Sequence, residues 1–362
     1  MAVPIRRAVS LVAAAVIAAG GLAACGANDS DSGSNGDGGD GGAKIALLLP
    51  ETKTTRYEAF DRPLIEKKVA EICDDCEVKY YNANQKSDTQ QQQVQTAINE
   101  DVDVMILDPV DSVAAEAMVE DAQAADIPVI AYDRFIKGAD YYMSFDNERV
   151  GELQAQALVD AMGDKGNIFM LNGSPTDPNA AGFKAGAHKV LDASGVKIFP
   201  GGEYDNPDWS PDNAQKFITD KLASTDPSTI GGVYAANDGQ AGGVIAALTG
   251  EGGLPADKLP PITGQDAQLA NIQLILAGEQ YMTIFKSYFI EADKAGEVAV
   301  ALAKGEDVSG TTDYQGSKAF IFDPVVVTKD NVKTDIVDAG LYTVDEVCTA
   351  DYADACKAAG LQ

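Results

Sequence analysis

The chain has one histidine, one tryptophan, five cysteines and about half as many basic residues (27) as acidic ones (56). The lone histidine, His188, sits in a helical stretch, which argues against a His-built metal site. The shortage of positive charge, a formal −29, argues against nucleic acid as a partner, because such a chain repels phosphates. A Walker loop, an activated serine and a cluster of metal ligands are all missing. The apolar run from Ala8 to Gly20 is about 13 residues, too short to span a bilayer as a mature helix.

What is present begins with the flanks of that run. Arg6 and Arg7 precede it and Leu22-Ala23-Ala24-Cys25 closes it. Small residues before the cut suit an export peptidase. A Cys directly after them resembles the lipobox of bacterial lipoproteins, where the thiol takes a diacylglycerol. The alternative is an ordinary signal peptide with an incidental cysteine. GANDSDSGSNGDGGDGG (26–42) follows and reads as a flexible tether. The expected layout is a lipoprotein signal peptide over 1–24, a tether over 25–43, and an exported protein held at the outer face of the cell membrane by lipid on Cys25. Removing 1–24 leaves 338 residues and moves the formal charge to −31. That length suits two domains, and at 45% hydrophobic the chain can bury real cores.

Four cysteines remain. Cys73 and Cys76 form CDDC, and Cys348 and Cys356 lie near the end. In an exported chain two local disulfides are the natural reading. A thioredoxin-like site would place CxxC at the start of a helix after a strand; here it ends a helix and precedes EVKYY. A four-Cys zinc site lacks the usual second CxxC. No cofactor or metal is expected.

From Lys44 short apolar runs alternate with amphipathic helices: KIALLL (44–49), a helix near 58–72, EVKYY, a Gln-rich helix with Val94, Ala97 and Ile98 on one face, VDVMIL (102–107), a helix around 112–125, then PVIAY. This spacing means βαβ units and a parallel sheet. The rhythm restarts after SFDNERVGE with NIFML (167–171), VKIF, GGVYA and PIT (261–263), separated by helices, the last over 269–277. YMTIFK (281–286), a helix of about 16 residues and AFIFDPVVV are too few for a third domain and add to the first two.

In open parallel sheets, ligands bind beyond the carboxyl ends of the strands. Those ends read Glu51 to Tyr57, Asp108 and Asp133-Arg134 in the first half; Asn172 to Asn179, Asn237-Asp238 and Gln265-Asp266 in the second; and Lys286 on the returning strand. Tyr57, Phe135 and Trp209 stand near them. Carboxylates, cations and carboxamides beside aromatic rings suit a neutral polyhydroxylated ligand, whose hydroxyls both donate and accept. Taken singly, such acids are often helix caps. Asp108 and Asp111 are expected to be caps or turn residues, and Asp238 to cap its helix while Asn237 faces the ligand. Trp209 alone would serve equally to cover a loop.

The blocks AYDRFIKGADYYMSFDNERVGELQAQAL (131–158), GSPTDPNAAGFKAG (173–186), WSPDNA (209–214), ANDGQAGGVIAAL (236–248) and GQDAQLANIQLILAGEQYMTIFK (264–286) resemble the periplasmic sugar-binding receptors of ABC importers, and most closely their D-xylose and multiple-sugar branch. The resemblance implies the periplasmic-binding-protein type I form of α/β fold: two similar doubly wound parallel-sheet domains joined by a three-segment hinge. The expected lobes are 44–148 plus 282–320 and 149–281 plus 321–362. Carried over by position, Arg56, Tyr57, Asp133, Arg134, Asp177, Asn179, Trp209, Asn237, Asp266 and Lys286 are the expected sugar contacts. Tyr57 stands where a Trp is usual, Pro178 where an Asn is usual, and PETKT (50–54) departs from an acidic-leading loop. All three are expected on a rim that senses the C5 substituent, which leaves xylose, glucose and galactose open. The implied partners are a monosaccharide and the transmembrane subunits of an ABC permease, the protein itself being a monomer.

The rival readings are a sugar sensor feeding a signalling partner, and a glycosidase using Asp133 and Asp266. Against the latter, Arg134 and Lys286 should keep both acids ionised. A regulator with the same fold would carry a helix-turn-helix where the export signal stands.

Overall fold

The computed structural model describes residues 42–250 and 253–361. The expected signal peptide, Cys25 and nearly all of the expected tether lie outside them. Among the described residues no helix is long and apolar enough to cross a membrane.

The strands are β1 (Lys44–Leu49), β2 (Glu77–Asn82), β3 (Val104–Leu107), β4 (Val129–Tyr132), β5 (Tyr141–Phe145), β6 (Gly166–Asn172), β7 (Val196–Asp205), β8 (Gly232–Ala235), β9 (Met282–Phe285), β10 (Thr312–Tyr314), β11 (Ser317–Phe322) and β12 (Val325–Thr328). The main helices are α1 (Arg62–Ile72), α2 (Ser87–Asn99), α3 (Ser112–Gln123), α4 (Asn147–Met162), α5 (Pro178–Leu191), α6 (Pro211–Leu222), α7 (Asp238–Leu248), α8 (Leu269–Ala277) and α9 (Tyr288–Ala303).

The first sheet runs β2-β1-β3-β4-β5-β11-β10, parallel except for β10. β1 is buried on both faces: Ile45, Leu47 and Leu49 meet α1 and α9, while Ala46 and Leu48 meet α2 and α3. A continuous apolar run is what a doubly covered parallel strand requires. The second sheet repeats the order. β7-β6-β8 is extended through single parallel bridges, Val233 to Ile262 and Gln265 to Ile284, onto the antiparallel pair β9-β12. Helices α4 and α5 cover one face, α6 and α7 the other. α4 and α5 touch backbone to backbone: a Cβ on Gly151 would lie 1.9 Å from the Phe183 carbonyl oxygen, so only glycine permits this crossing. It sets α5, and the loop leading into it, over the cleft.

The chain passes between lobes after β5, after β9 and after β11. These crossovers adjoin: the Asp146 N–H donates to the Phe322 carbonyl at 3.1 Å. β9 pairs within the second sheet, whereas the sequence reading began the return to the first lobe at 282; α9 is the element that packs on the first lobe. Cys73 is joined to Cys76 and Cys348 to Cys356.

Candidate functional site

Both sheets have the strand order in which the switch point lies beside the first strand, so their carboxyl ends face a common cleft. The lobes close there on a cavity of about 20 Å³. All ten residues expected from the sequence line it, and all ten are buried. Thr54, Phe183 and Gln265 complete the wall.

The first lobe supplies the charge centre. Arg56 spreads its guanidinium over three carboxylates: Nε to Asp61 Oδ2 at 2.7 Å, Nη1 to Asp133 Oδ1 at 3.2 Å and Nη2 to Glu291 Oε2 at 2.7 Å. Its plane also lies near the rings of Tyr57 and Tyr288. Asp133 accepts further from Lys286 Nζ at 3.4 Å and from the Tyr57 hydroxyl at 3.5 Å. Burial opposes its ionisation, but Lys286, Arg56 and Arg134 outweigh burial and hold its carboxyl well below the usual range. Asp133 is therefore a fixed anion, an acceptor only.

Arg134 braces the lobes together. Nη1 donates to the Pro109 carbonyl at 2.9 Å and Nη2 to the Tyr57 hydroxyl at 3.2 Å. Nε lies 2.9 Å from Asp177 Oδ2 of the other lobe, yet it makes no aligned hydrogen bond, so that contact is ionic. Asn179 adds a second crossing, its Nδ2 donating to the Asp133 carbonyl at 3.0 Å.

In the second lobe Asp177 caps α5 through the Asn179 N–H at 2.9 Å and receives Trp209 Nε1 at 3.1 Å. The Trp209 ring lies against Gly173, where an added Cβ would fall 2.0 Å from it. Burial pushes the Asp177 carboxyl up, although Arg134 pulls the other way. Asp133, Trp209 and Asp266 hold φ of 56°, 60° and 92°. Positive φ costs non-glycine residues about 1–3 kcal/mol each, and such strain concentrates at functional sites.

Several expectations need correction. Asp108 is not a cap: both its oxygens are buried without a hydrogen-bond partner, 3.5 Å or more from Arg134 Nε, and burial pushes its carboxyl well up. Asp111 does cap α3. The roles of Asn237 and Asp238 are partly exchanged. Asn237 caps α7 and also lines the cavity, while Asp238 is buried between Gln280 Nε2 and the Gln268 N–H, both at 2.8 Å. Phe135 turns away from the cavity onto Tyr142 and Tyr314, and Pro178 is not part of its wall. Asp266 differs from Asp133 in the direction of its shift: burial pushes its carboxyl up, although Lys286, 3.7 Å away, pulls the other way. Sequence reasoning missed Asp61, Glu291 and Tyr288. Their only signal was a polar group on a helix face otherwise filled by core residues.

Residues 45–307 match the periplasmic binding protein domain. The chain is 37% identical over 314 residues to the D-xylose-binding periplasmic protein of Escherichia coli, covering 84% of this chain and 92% of that one. It is 33% identical over 280 residues to a multiple sugar-binding periplasmic receptor of Rhizobium radiobacter, covering 70% and 79%. Among solved structures, a carbohydrate transporter solute-binding protein from Chloroflexus aurantiacus in complex with D-glucose superposes with a TM-score of 0.75 at 28% identity, over 83% of this chain and 97% of that one. With its type I fold and these relatives, the chain belongs to the periplasmic binding protein family.

Proposed function

We propose that the protein captures a monosaccharide between its lobes, D-xylose first and D-glucose or D-galactose next, and delivers it to the transmembrane subunits of an ABC permease. Lipid on Cys25 and the tether would hold it beside that permease. The observation that carries the reading is the division of the cavity wall. Asp133 with Arg56 and Arg134 comes from one lobe; Asn179, Trp209, Asn237 and Asp266 come from the other, and Lys286 ends the strand that leads back. A sugar hydroxyl donates a hydrogen bond to Asp133 and accepts one from a cation or carboxamide, and the Trp209 ring offers an apolar face. Both half-sites are met only when the lobes are closed, so closed protein binds best. A cavity of about 20 Å³ holds about one water, so a sugar enters when the lobes part.

Turnover is not part of the proposal. A two-carboxylate hydrolase needs its acids on either side of the scissile bond. Here Lys286 Nζ lies against both, 3.4 Å from Asp133 and 3.7 Å from Asp266.

The test uses the single tryptophan. Express the chain from Ala43 onward, excite Trp209, and titrate D-xylose, D-glucose, D-galactose, D-ribose and L-arabinose. A saturable change with D-xylose, or with one of the two hexoses, is expected. No response to any sugar, with calorimetry equally silent, removes the sugar assignment.

A further inference from the structure

We propose that Lys53 and Asp208 form a clasp across the mouth of the cleft that sets how firmly the lobes stay shut. The two are ion-paired from opposite lobes, with side chains 42% and 28% exposed. Lys53 belongs to the PETKT segment after β1, and the next residue, Thr54, lines the cavity. That turn is wrapped on the buried Glu51 carboxylate, which accepts the Thr54 N–H at 3.0 Å and also the Lys53 N–H. The lysine is thus presented from a fixed turn rather than a loose strap.

The opposite lip is built in the same way. Asp208 directly precedes Trp209 of the cavity wall. Its Oδ1 accepts from the Ser210 N–H at 3.2 Å and from Asn213 Nδ2 at 2.8 Å, leaving Oδ2 for Lys53. Neither clasp residue lines the cavity, so the pair joins lip to lip without touching what is held inside.

Its expected strength follows from its exposure. A solvent-exposed ion pair changes an equilibrium by about two- to fivefold and is screened by salt. The buried crossings, Arg134 with Asp177 and Asn179 with Asp133, bring the lobes together. The clasp adjusts the share and lifetime of the closed state. The inference rests on lobe closure as proposed above, though not on which sugar is bound.

The test measures distances between spin labels placed at the exposed positions Gln92 and Gln215, one on each lobe, in the protein without ligand. Lys53→Met and Asp208→Asn should each lower the closed-to-open ratio by about two- to fivefold. The double variant should fall no further, Lys53→Arg should keep the wild-type ratio, and the difference should vanish in about 1 M salt. D-xylose affinity, measured by calorimetry on the same proteins, should weaken by the same factor. A distance distribution that Lys53→Met leaves unchanged overturns the clasp, whatever the protein binds. If the wild type binds none of the sugars, the sugar reading is lost while the distances still decide the clasp.

Discussion

One guanidinium, that of Arg56, faces three carboxyl groups in a space closed to water: Asp61, Asp133 and Glu291. Burial drives the Glu291 carboxyl up to about 8 against the pull of Arg56. A carboxyl raised in this way binds its proton more tightly in the folded protein. It therefore contributes stability that is full below its unfolded value of about 4.3 and is lost as pH rises through about 8. Glu291→Gln imitates the protonated acid. It should unfold a few degrees above wild type at pH 6 and further above it at pH 8.5, as read by thermal melts. Parallel behaviour at both pH values would show that Glu291 is ionised throughout. In the sequence Glu291 reads as an ordinary acid on a helix, because nothing local announces Arg56, 235 positions away. The ten cavity residues were legible for a different reason: most follow the end of a buried strand, where fold geometry assigns a direction, and the resemblance to sugar receptors singled out the set. Which of Asn237 and Asp238 would cap α7 was not legible. The answer depends on Gln280, which reaches Asp238 from beyond α8.

Among the elements, the buried parallel strands were plain in the sequence, since runs such as Ile45–Leu49 and Val104–Leu107 admit little else. The fourth strand of the second lobe was foreseen at 261–263 and is reduced to single bridges at Ile262 and Gln265. β5 and α4 were hidden in a block rich in polar and aromatic residues; α4 declares itself only through the Asp146 cap and the Gly163 end. The C-terminal segment depends on a staple. Cys348 and Cys356 close a short loop whose residues pack on α8, with Gln273 Nε2 donating to the Val347 carbonyl at 3.2 Å. Closing a loop of about nine residues contributes about 2–3 kcal/mol. Replacing both cysteines by serine should lower the melting temperature by several degrees and leave sugar affinity within about twofold, measured by scanning and titration calorimetry. An unchanged melting temperature would mean that packing alone holds the segment.

At the scale of the whole molecule, closure places Arg134 and Asp177 in a dry interface, where removing one partner strands the other charge. Breaking a buried pair costs about 3–5 kcal/mol, and the cost falls on the closed form alone, because Arg134 regains water when the lobes part. Asp177→Asn should therefore weaken sugar binding by about 100-fold or more, with the melting temperature shifted by only a few degrees. Equal loss of stability and affinity would make Asp177 a packing residue of its own lobe.

The three crossovers also order events in time. β11 lies beside β5 in the first sheet, with Lys318 and Tyr141 joined across 177 positions of sequence. A chain emerging N-terminus first, from a ribosome or through a membrane pore, has delivered almost all of itself before that strand arrives. The first lobe, although the first to begin, is completed only after most of the second has emerged, so a nascent chain carries an unsealed sheet edge through most of its synthesis.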